Sequence, residues 1–335
     1  MRRRWLTDTS KIDRQDMLGK VKGFSDMLEA GLEIAGVSGL EGAGRPGSIV
    51  VSGMGGSAIC GDLARAALSA PITVNRGYSA PPGLDANSVM FAVSYSGNTE
   101  ETLSALAMAE KRKARIISIT SGGELGKISK KKGYPLISVP KGIQPRAALP
   151  YMLSSLMVSL EKMGIAPGAS SDVMGSAKSL RKLNADQAAG LAESLSGRLP
   201  VIMASEGITA SAGLRWSSQI NENSKMLAHL AVLPEMSHNE IVGLGSLKKG
   251  KHNMSLVVLR DAGESDRIRK RIEIIMSILR SAMPVHEVSS TGAGALERVL
   301  SLVVLGDFTS VYLALLSGVD PTPVDVIEKI KKELV

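Results

Sequence analysis

Ser94, Ser96 and Thr99 place three short hydroxyl side chains in one stretch, Ser94-Tyr95-Ser96-Gly97-Asn98-Thr99. An apolar, partly β-branched run precedes it, Val89-Met90-Phe91-Ala92-Val93, and Glu100-Glu101-Thr102-Leu103, which suits a helix, follows. A strand that breaks into such a loop and re-enters a helix makes an anion site. The first N–H groups of the helix lack internal partners, and its dipole puts partial positive charge there. A helix cap by Asn98 or Thr99, with Glu100 and Glu101 in the first turn, is the plainer reading. A cap needs one hydroxyl, however, and three stand here.

A second loop of small residues, Gly53-Met54-Gly55-Gly56-Ser57-Ala58, follows the run Ser48-Ile49-Val50-Val51-Ser52. Its glycines fit a dinucleotide fingerprint, but that chemistry wants an acidic residue about 20 positions on to hold a ribose. Asn75 and Arg76 stand there, so only a 2′-phosphorylated cofactor, NADP, stays open on this reading. Two others are open: Gly55 and Gly56 N–H groups facing a sugar with Ser57 on a hydroxyl or phosphate oxygen, or a tight strand–helix turn. Arg146, in Gln144-Pro145-Arg146-Ala147, is either a helix-flank ion pair or a guanidinium for developing oxyanion charge.

The later part of the chain holds the acid–base candidates. Glu222 lies between Asn221 and Asn223 near the end of a helical pattern. There the helix dipole disfavours a carboxylate and favours its taking up a proton, as a general base must; an exposed surface Glu is the plainer reading. His238, in Glu235-Met236-Ser237-His238-Asn239-Glu240, has the most polar surroundings of the four histidines and suits acid–base work. Glu235, His238 and Glu240 imitate a metal site, but no second histidine stands at helical spacing from His238, and no metal is expected. Near the C-terminus Val324, Ile327, Lys331 and Leu334 share one helical face, so Lys331 either snorkels or enters a cleft, while Lys329 lies off that face.

These groups need a scaffold that brings loops to one edge. Strand-like runs at 48–52, 72–75, 89–94, 115–120 and 135–140 alternate with helical patterns, after an opening helix over 8–38. A long apolar helix over 147–163 follows, and Pro167-Gly168-Ala169-Ser170-Ser171 reads as a linker. After a polar helix over 172–194 the alternation repeats, with strands near 199–204, 230–233, 255–259 and 285–288 and helices over 208–224, 264–282, 293–317 and 323–334. Such alternation predicts an α/β fold of two doubly wound parallel sheets, each covered on both faces. The expected domains are 1–165, with the hydroxyl loop, and 172–335, with Glu222 and His238. The second copy has Ser205-Glu206-Gly207 where the first has its glycines, and it lacks the Ser/Thr cluster. One domain is therefore expected to hold an anion and the other to supply different chemistry.

Composition narrows the partners. The chain has 335 residues, 44% hydrophobic and only 3% aromatic, so aliphatic residues must fill its cores. The net charge of +8 is dispersed over Arg2-Arg3-Arg4, Lys111-Arg112-Lys113, Lys130-Lys131-Lys132 and Lys248-Lys249, which read as solvated faces. No aromatics interleave with them, so no nucleic-acid partner is expected. Cys60 stands alone and is expected to pack as a small buried residue, which leaves no intrachain disulfide or thiolate cluster. No run approaches 18 apolar residues and no signal-peptide core follows Met1, so the expectation is a cytoplasmic protein with no membrane contact.

Taken together, Gly55-Gly56-Ser57, Ser94-Tyr95-Ser96-Gly97-Asn98-Thr99, Pro145-Arg146, Asn221-Glu222-Asn223, Pro234-Glu235-Met236-Ser237-His238-Asn239-Glu240 and Gly318-Val319-Asp320-Pro321-Thr322-Pro323 resemble the bifunctional phosphoglucose/phosphomannose isomerases of the sugar isomerase (SIS) superfamily, from about residue 45 to 335. The resemblance implies two SIS domains, a homodimer with its active site at the subunit interface, and a hexose 6-phosphate as substrate. It assigns Ser94, Ser96 and Thr99, with Ser57 beside them, to phosphate, and Glu222 to the proton moved between C1 and C2. It assigns Arg146 to the enediolate, His238, supplied by the neighbouring subunit, to ring opening, and Lys331 to assistance in that step. No cofactor is implied. A non-catalytic sugar-phosphate sensor of the same fold, or an NADP oxidoreductase built on the Gly53 loop, are the competing readings.

Overall fold

The computed structural model describes residues 9–36, 40, 45–68, 70–247 and 252–334. The Arg2–Arg4 run and the Lys248–Lys249 pair lie outside them. The opening helical pattern is two helices, α1 (Met17–Lys22) and α2 (Phe24–Ile34), broken at Gly23, after a short 3₁₀ turn at Thr9–Lys11. Asp13 accepts the Met17 and Leu18 N–H groups at 2.7 and 2.8 Å and so takes the start of α1.

The first sheet is wholly parallel, in the order β2-β1-β3-β4-β5: β1 (Ser48–Ser52), β2 (Ile72–Asn75), β3 (Ser88–Val93), β4 (Arg115–Thr120) and β5 (Leu136–Ser138). Three helices connect the strands: α3 (Gly55–Leu68), α4 (Glu100–Lys111) and α5 (Gly123–Lys132). Every residue of β3 is buried, as expected of a central strand covered on both faces. Val50, Met90, Ala92, Leu106, Ile116 and Leu125 form one core of this unit. α6 (Leu149–Lys162) and α7 (Ala169–Leu180) complete it, and α7 buries Val173, Ala177 and Leu180. α7 packs on α2 and α6, which draws the chain up to Lys182 into the compact unit of the first sheet, together with Thr291–Ser301. The linker-like composition at 167–171 does not mark that unit's edge, because the helix after it has an apolar face to bury.

The other unit takes Met1–Lys22, Leu183–Ser290 and Leu302–Val335. After α8 (Ala185–Leu195), its sheet is also parallel, in the order β7-β6-β8-β9: β6 (Leu199–Ser205), β7 (His229–Leu233), β8 (Met254–Arg260) and β9 (Val285–Ser289). The polar pattern at 172–194 is thus two helices, α8 starting where the Asn184 side chain caps the Asp186 N–H at 2.8 Å. α9 (Ile208–Gln219) follows β6, and a short α10 (Glu240–Gly245), absent from the sequence expectation, follows β7. α11 (Asp266–Leu279) lays Ile272, Ile275 and Leu279 on Val201, Met203, Leu256 and Val258. α12 (Ala295–Leu316) is, by length and composition, apolar enough to cross a bilayer, and its most apolar stretch is 94% buried, as in a core helix. α13 (Asp325–Glu333) buries none of its residues.

Candidate active site

In the first sheet the strand order reverses direction between β1 and β3. Loops leaving such a pair diverge and open a crevice at the carboxyl ends, the usual ligand position in a doubly wound sheet. The two loops flanking it are Gly53–Met54, which enters α3, and Ser94–Thr99, which enters α4. Ser94 is fully buried, and its Oγ lies 2.7 Å from Thr99 Oγ1 and accepts the Gly97 N–H at 3.1 Å. Ser96 is exposed, and its Oγ accepts the Asn98 N–H at 3.2 Å. Ser57 Oγ accepts the Tyr95 N–H at 3.3 Å, which joins the two loops. Gly97 holds φ +74, and a Cβ there would lie 1.9 Å from Gly122 O, so only glycine closes this loop.

The capping reading fails for both residues it named. Thr99 occupies the N-cap of α4 without a side-chain cap bond, its hydroxyl being turned to Ser94. Asn98 Oδ1 accepts the Glu124 N–H at 2.9 Å. The start of α4 therefore keeps its N–H groups free of a side-chain cap, a setting that favours an anion.

α3 begins at Gly55, earlier than the sequence pattern suggests, so the glycines form the first turn of the helix. A Cβ on Gly56 would meet Arg146 Cα and Pro145 O at 3.3 Å, and the bare helix start packs against that backbone. Arg146, in the 3₁₀ turn Pro145–Ala148, is only 3% exposed. The structure thus brings Gly56, Ser57, Ser94, Ser96, Thr99 and Arg146 together within one unit. Arg76 pairs instead with Asp62 of α3, and Asn75 Nδ2 donates to Ser52 Oγ at 3.1 Å, so the group left for a 2′-phosphate is engaged in the fold. Cys60 is buried, its Sγ donates to Ser57 O at 3.0 Å, and burial pushes its thiol up to about 12.

Glu222 sits on a π-helical turn, Ile220–Ser224, that continues α9 in place of its last α turn. Such wide turns recur at functional sites because they swing one side chain out of the helical register. The turn is fastened to α12: Asn223 Nδ2 donates to Ser310 Oγ at 2.9 Å and Ser224 Oγ donates to Ser310 O at 2.7 Å. Lys225, at φ +55, ends the turn and donates to the Glu222 and Pro321 carbonyls at 2.6 and 3.0 Å. Glu222 itself is half-buried. One turn earlier Arg215 makes a buried bidentate pair with Asp307 of α12, at 3.0 and 2.9 Å. Sequence reasoning missed these supports. Their signal is Asp307, Thr309 and Ser310, polar residues buried within an otherwise apolar helix.

His238 is exposed on the short turn Glu235–His238, which follows the cis Leu233–Pro234 bond. Arg271 of α11 donates to Ser237 Oγ at 2.6 Å, and Asn239 donates to Glu235 Oε1 at 2.8 Å. Glu240 meets His229 Nε2 at 2.5 Å. Both carboxylates flanking His238 are thus directed to other partners. Lys331 is exposed on α13 and pairs with Glu328 at 2.9 Å, while Lys329 approaches Glu333 at 3.8 Å.

Residues 184–334 match the bacterial phospho-glucose isomerase C-terminal SIS domain family, and residues 45–131 match the SIS domain family. A bifunctional phosphoglucose/phosphomannose isomerase of Caldicellulosiruptor bescii is 38% identical over 85% of this chain and 89% of its own length. The chain belongs to the bifunctional phosphoglucose/phosphomannose isomerase family. A D-glucosamine-6-phosphate 4-epimerase of Sulfolobus acidocaldarius is 29% identical over 85% of this chain and 88% of its own. Among solved structures, a glucose-6-phosphate isomerase like protein of Thermus thermophilus aligns over 99% of both chains with a TM-score of 0.62 and 19% identity, a likeness of fold. The two parallel sheets described above are therefore SIS domains.

Proposed function

We propose that the protein is an aldose–ketose isomerase that interconverts glucose 6-phosphate and mannose 6-phosphate with fructose 6-phosphate. The supporting observation is the hydroxyl cradle of Ser57, Ser94, Ser96 and Thr99 at the uncapped start of α4, in a chain of this family. In this reading the cradle holds the phosphate dianion, remote from the reacting carbons, and anchors the open-chain sugar. Glu222 takes the C2 proton of the aldose and returns it to C1, while the proton of the C2 hydroxyl passes to the C1 oxygen, leaving the carbonyl at C2. The Arg146 guanidinium stabilises the oxyanion of the cis-enediolate, and return of the proton to either face at C2 gives either aldose. His238 opens the ring, with Lys331 assisting. The protein would act in the cytoplasm as a homodimer in which His238 serves the neighbouring subunit's site, an arrangement supported by the exposure of both side chains. This proton transfer calls for no metal or nicotinamide.

Purified protein incubated separately with glucose 6-phosphate and mannose 6-phosphate should form fructose 6-phosphate without added cofactor, equally with and without chelator. A third arm with glucosamine 6-phosphate tests the epimerase chemistry named for the Sulfolobus relative. Turnover confined to that arm, or dependent on NADP, would replace this reading.

A further inference from the structure

Tyr95 stands between two of the hydroxyls assigned to phosphate, yet its side chain faces away from them into the fold, with 6% of the residue exposed. All its polar groups are spoken for, each by the segment after a different strand at the carboxyl edge of the first sheet. Its N–H donates to Ser57 Oγ, after β1, at 3.3 Å. Its carbonyl accepts the Ser121 N–H and Oγ, after β4, at 3.0 and 2.7 Å. Its Oη donates to Pro140 O at 3.0 Å and accepts the Ile143 N–H at 3.1 Å, both after β5. Since β1, β3, β4 and β5 are successive neighbours, this one residue laces together the segments that follow four adjacent strands.

The last link has a chemical consequence. The segment Pro140–Ile143 runs directly into the turn Pro145–Ala148 that carries Arg146. Arg146 is buried and its backbone rests on the first turn of α3 at Gly56, so its placement depends on how this segment arrives. We infer that Tyr95 is the positioning residue that fixes Arg146 relative to the phosphate cradle, its Oη setting the course of the segment 140–143. The inference rests on the assignment of Arg146 to the enediolate. Burial pushes the Tyr95 phenol up from its ordinary value, so it keeps the proton it gives to Pro140. An oxyanion stabiliser acts only at close range, whereas a phosphate grip made by Ser94, Ser96 and Thr99 does not involve the phenol at all. Loss of the phenol should therefore be felt in turnover rather than in affinity.

Tyr95→Phe removes the hydroxyl and keeps the ring. A displaced catalytic group costs on the order of 10- to 100-fold in rate, so kcat should fall by about that factor while KM changes less than about threefold. Hydrogen exchange at the Ile143 amide, read independently of activity, should accelerate. A merely structural role would add to any other defect. Positioning through Arg146 predicts instead that Tyr95→Phe costs nothing further in an Arg146→Ala background, since coupled residues are not additive. Unchanged kcat in Tyr95→Phe, or a full additional loss in the double variant, overturns the inference. Normal kcat in Arg146→Ala alone would sink the enediolate assignment first, and so separates the two failures.

Discussion

Two switch points of the same chain, wound alike, spend their polar groups in opposite ways. At the first, between β1 and β3, the loop hydroxyls cluster while α4 begins without a side-chain cap. At the second, between β6 and β8, the loop closes on itself: Ser205 N–H donates to Thr209 Oγ1 at 2.8 Å, and Thr209 Oγ1 donates back to Ser205 O at 2.8 Å. The loop after β8 is acidic as well. Glu264 accepts the Asp261 N–H at 2.9 Å and pairs with Arg260 at 2.9 Å, and Ser265 caps α11. α9 too begins without a side-chain cap, at Gly207, so the difference lies in the exposed Ser96 hydroxyl of the first loop and in the carboxylates beside the second, which repel a dianion. Architecture alone therefore does not make a phosphate site. On the proposed reading, what makes one is loop hydroxyls gathered over an uncapped helix start, and the second unit would carry its chemistry on the π turn of Glu222.

The sharpest test of this division removes the proposed base without touching the cradle. Glu222→Gln should lower isomerisation by roughly 10²–10⁴-fold, the worth of a positioned general base, while sugar-phosphate affinity by calorimetry stays near wild type. Turnover close to normal would mean that the π turn holds no base. A smaller effect follows from loosening the support. Ser310→Ala takes away the hydroxyl that Asn223 Nδ2 meets at 2.9 Å, a loss of about 1 kcal/mol. If the turn relaxes, kcat should drop by about tenfold, in line with such a loss, with KM unchanged. A fall in thermal midpoint with kcat intact would show that Ser310 holds the fold and not the base.

How much of this was legible beforehand depends on how local the cause is. The Ser94–Thr99 loop could be read because strand, hydroxyls and helix start follow one another within one segment, and the alternation of runs gave both parallel sheets. The π turn could not. Its register depends on Ser310, far along the chain, and residues 208–224 carry a helical pattern throughout. The same holds for Thr99, whose type suits a cap; only the proximity of Ser94 Oγ turns it elsewhere. The break between α1 and α2 and the brief α10 were missed because a periodic apolar pattern bridges the first and a single helical turn or so is too short to show a period. The pattern puts Lys331 on a face with Val324, Ile327 and Leu334, yet α13 starts at Asp325 and leaves Ile327 and Leu334 exposed.

Two substitutions of similar size then compare the switch points directly. Ser96→Ala deletes one exposed hydroxyl of the cradle and should raise KM for hexose 6-phosphate about tenfold or more, the worth of about one hydrogen bond to a charged group, with kcat little changed. Unaltered KM would remove Ser96 from the phosphate site. Thr209→Val is its counterpart at the second switch point and keeps the side chain's shape. It leaves the buried Ser205 N–H without its acceptor at 2.8 Å, a cost of about 1–3 kcal/mol to be read as a lower urea midpoint. Both kcat and KM should stay within about twofold of wild type, since a loop that satisfies only itself contributes nothing to the ligand. If Thr209→Val weakened phosphate binding as much as Ser96→Ala does, the second loop would be presenting hydroxyls to the ligand after all, and the contrast between the two loops would no longer account for where the anion goes.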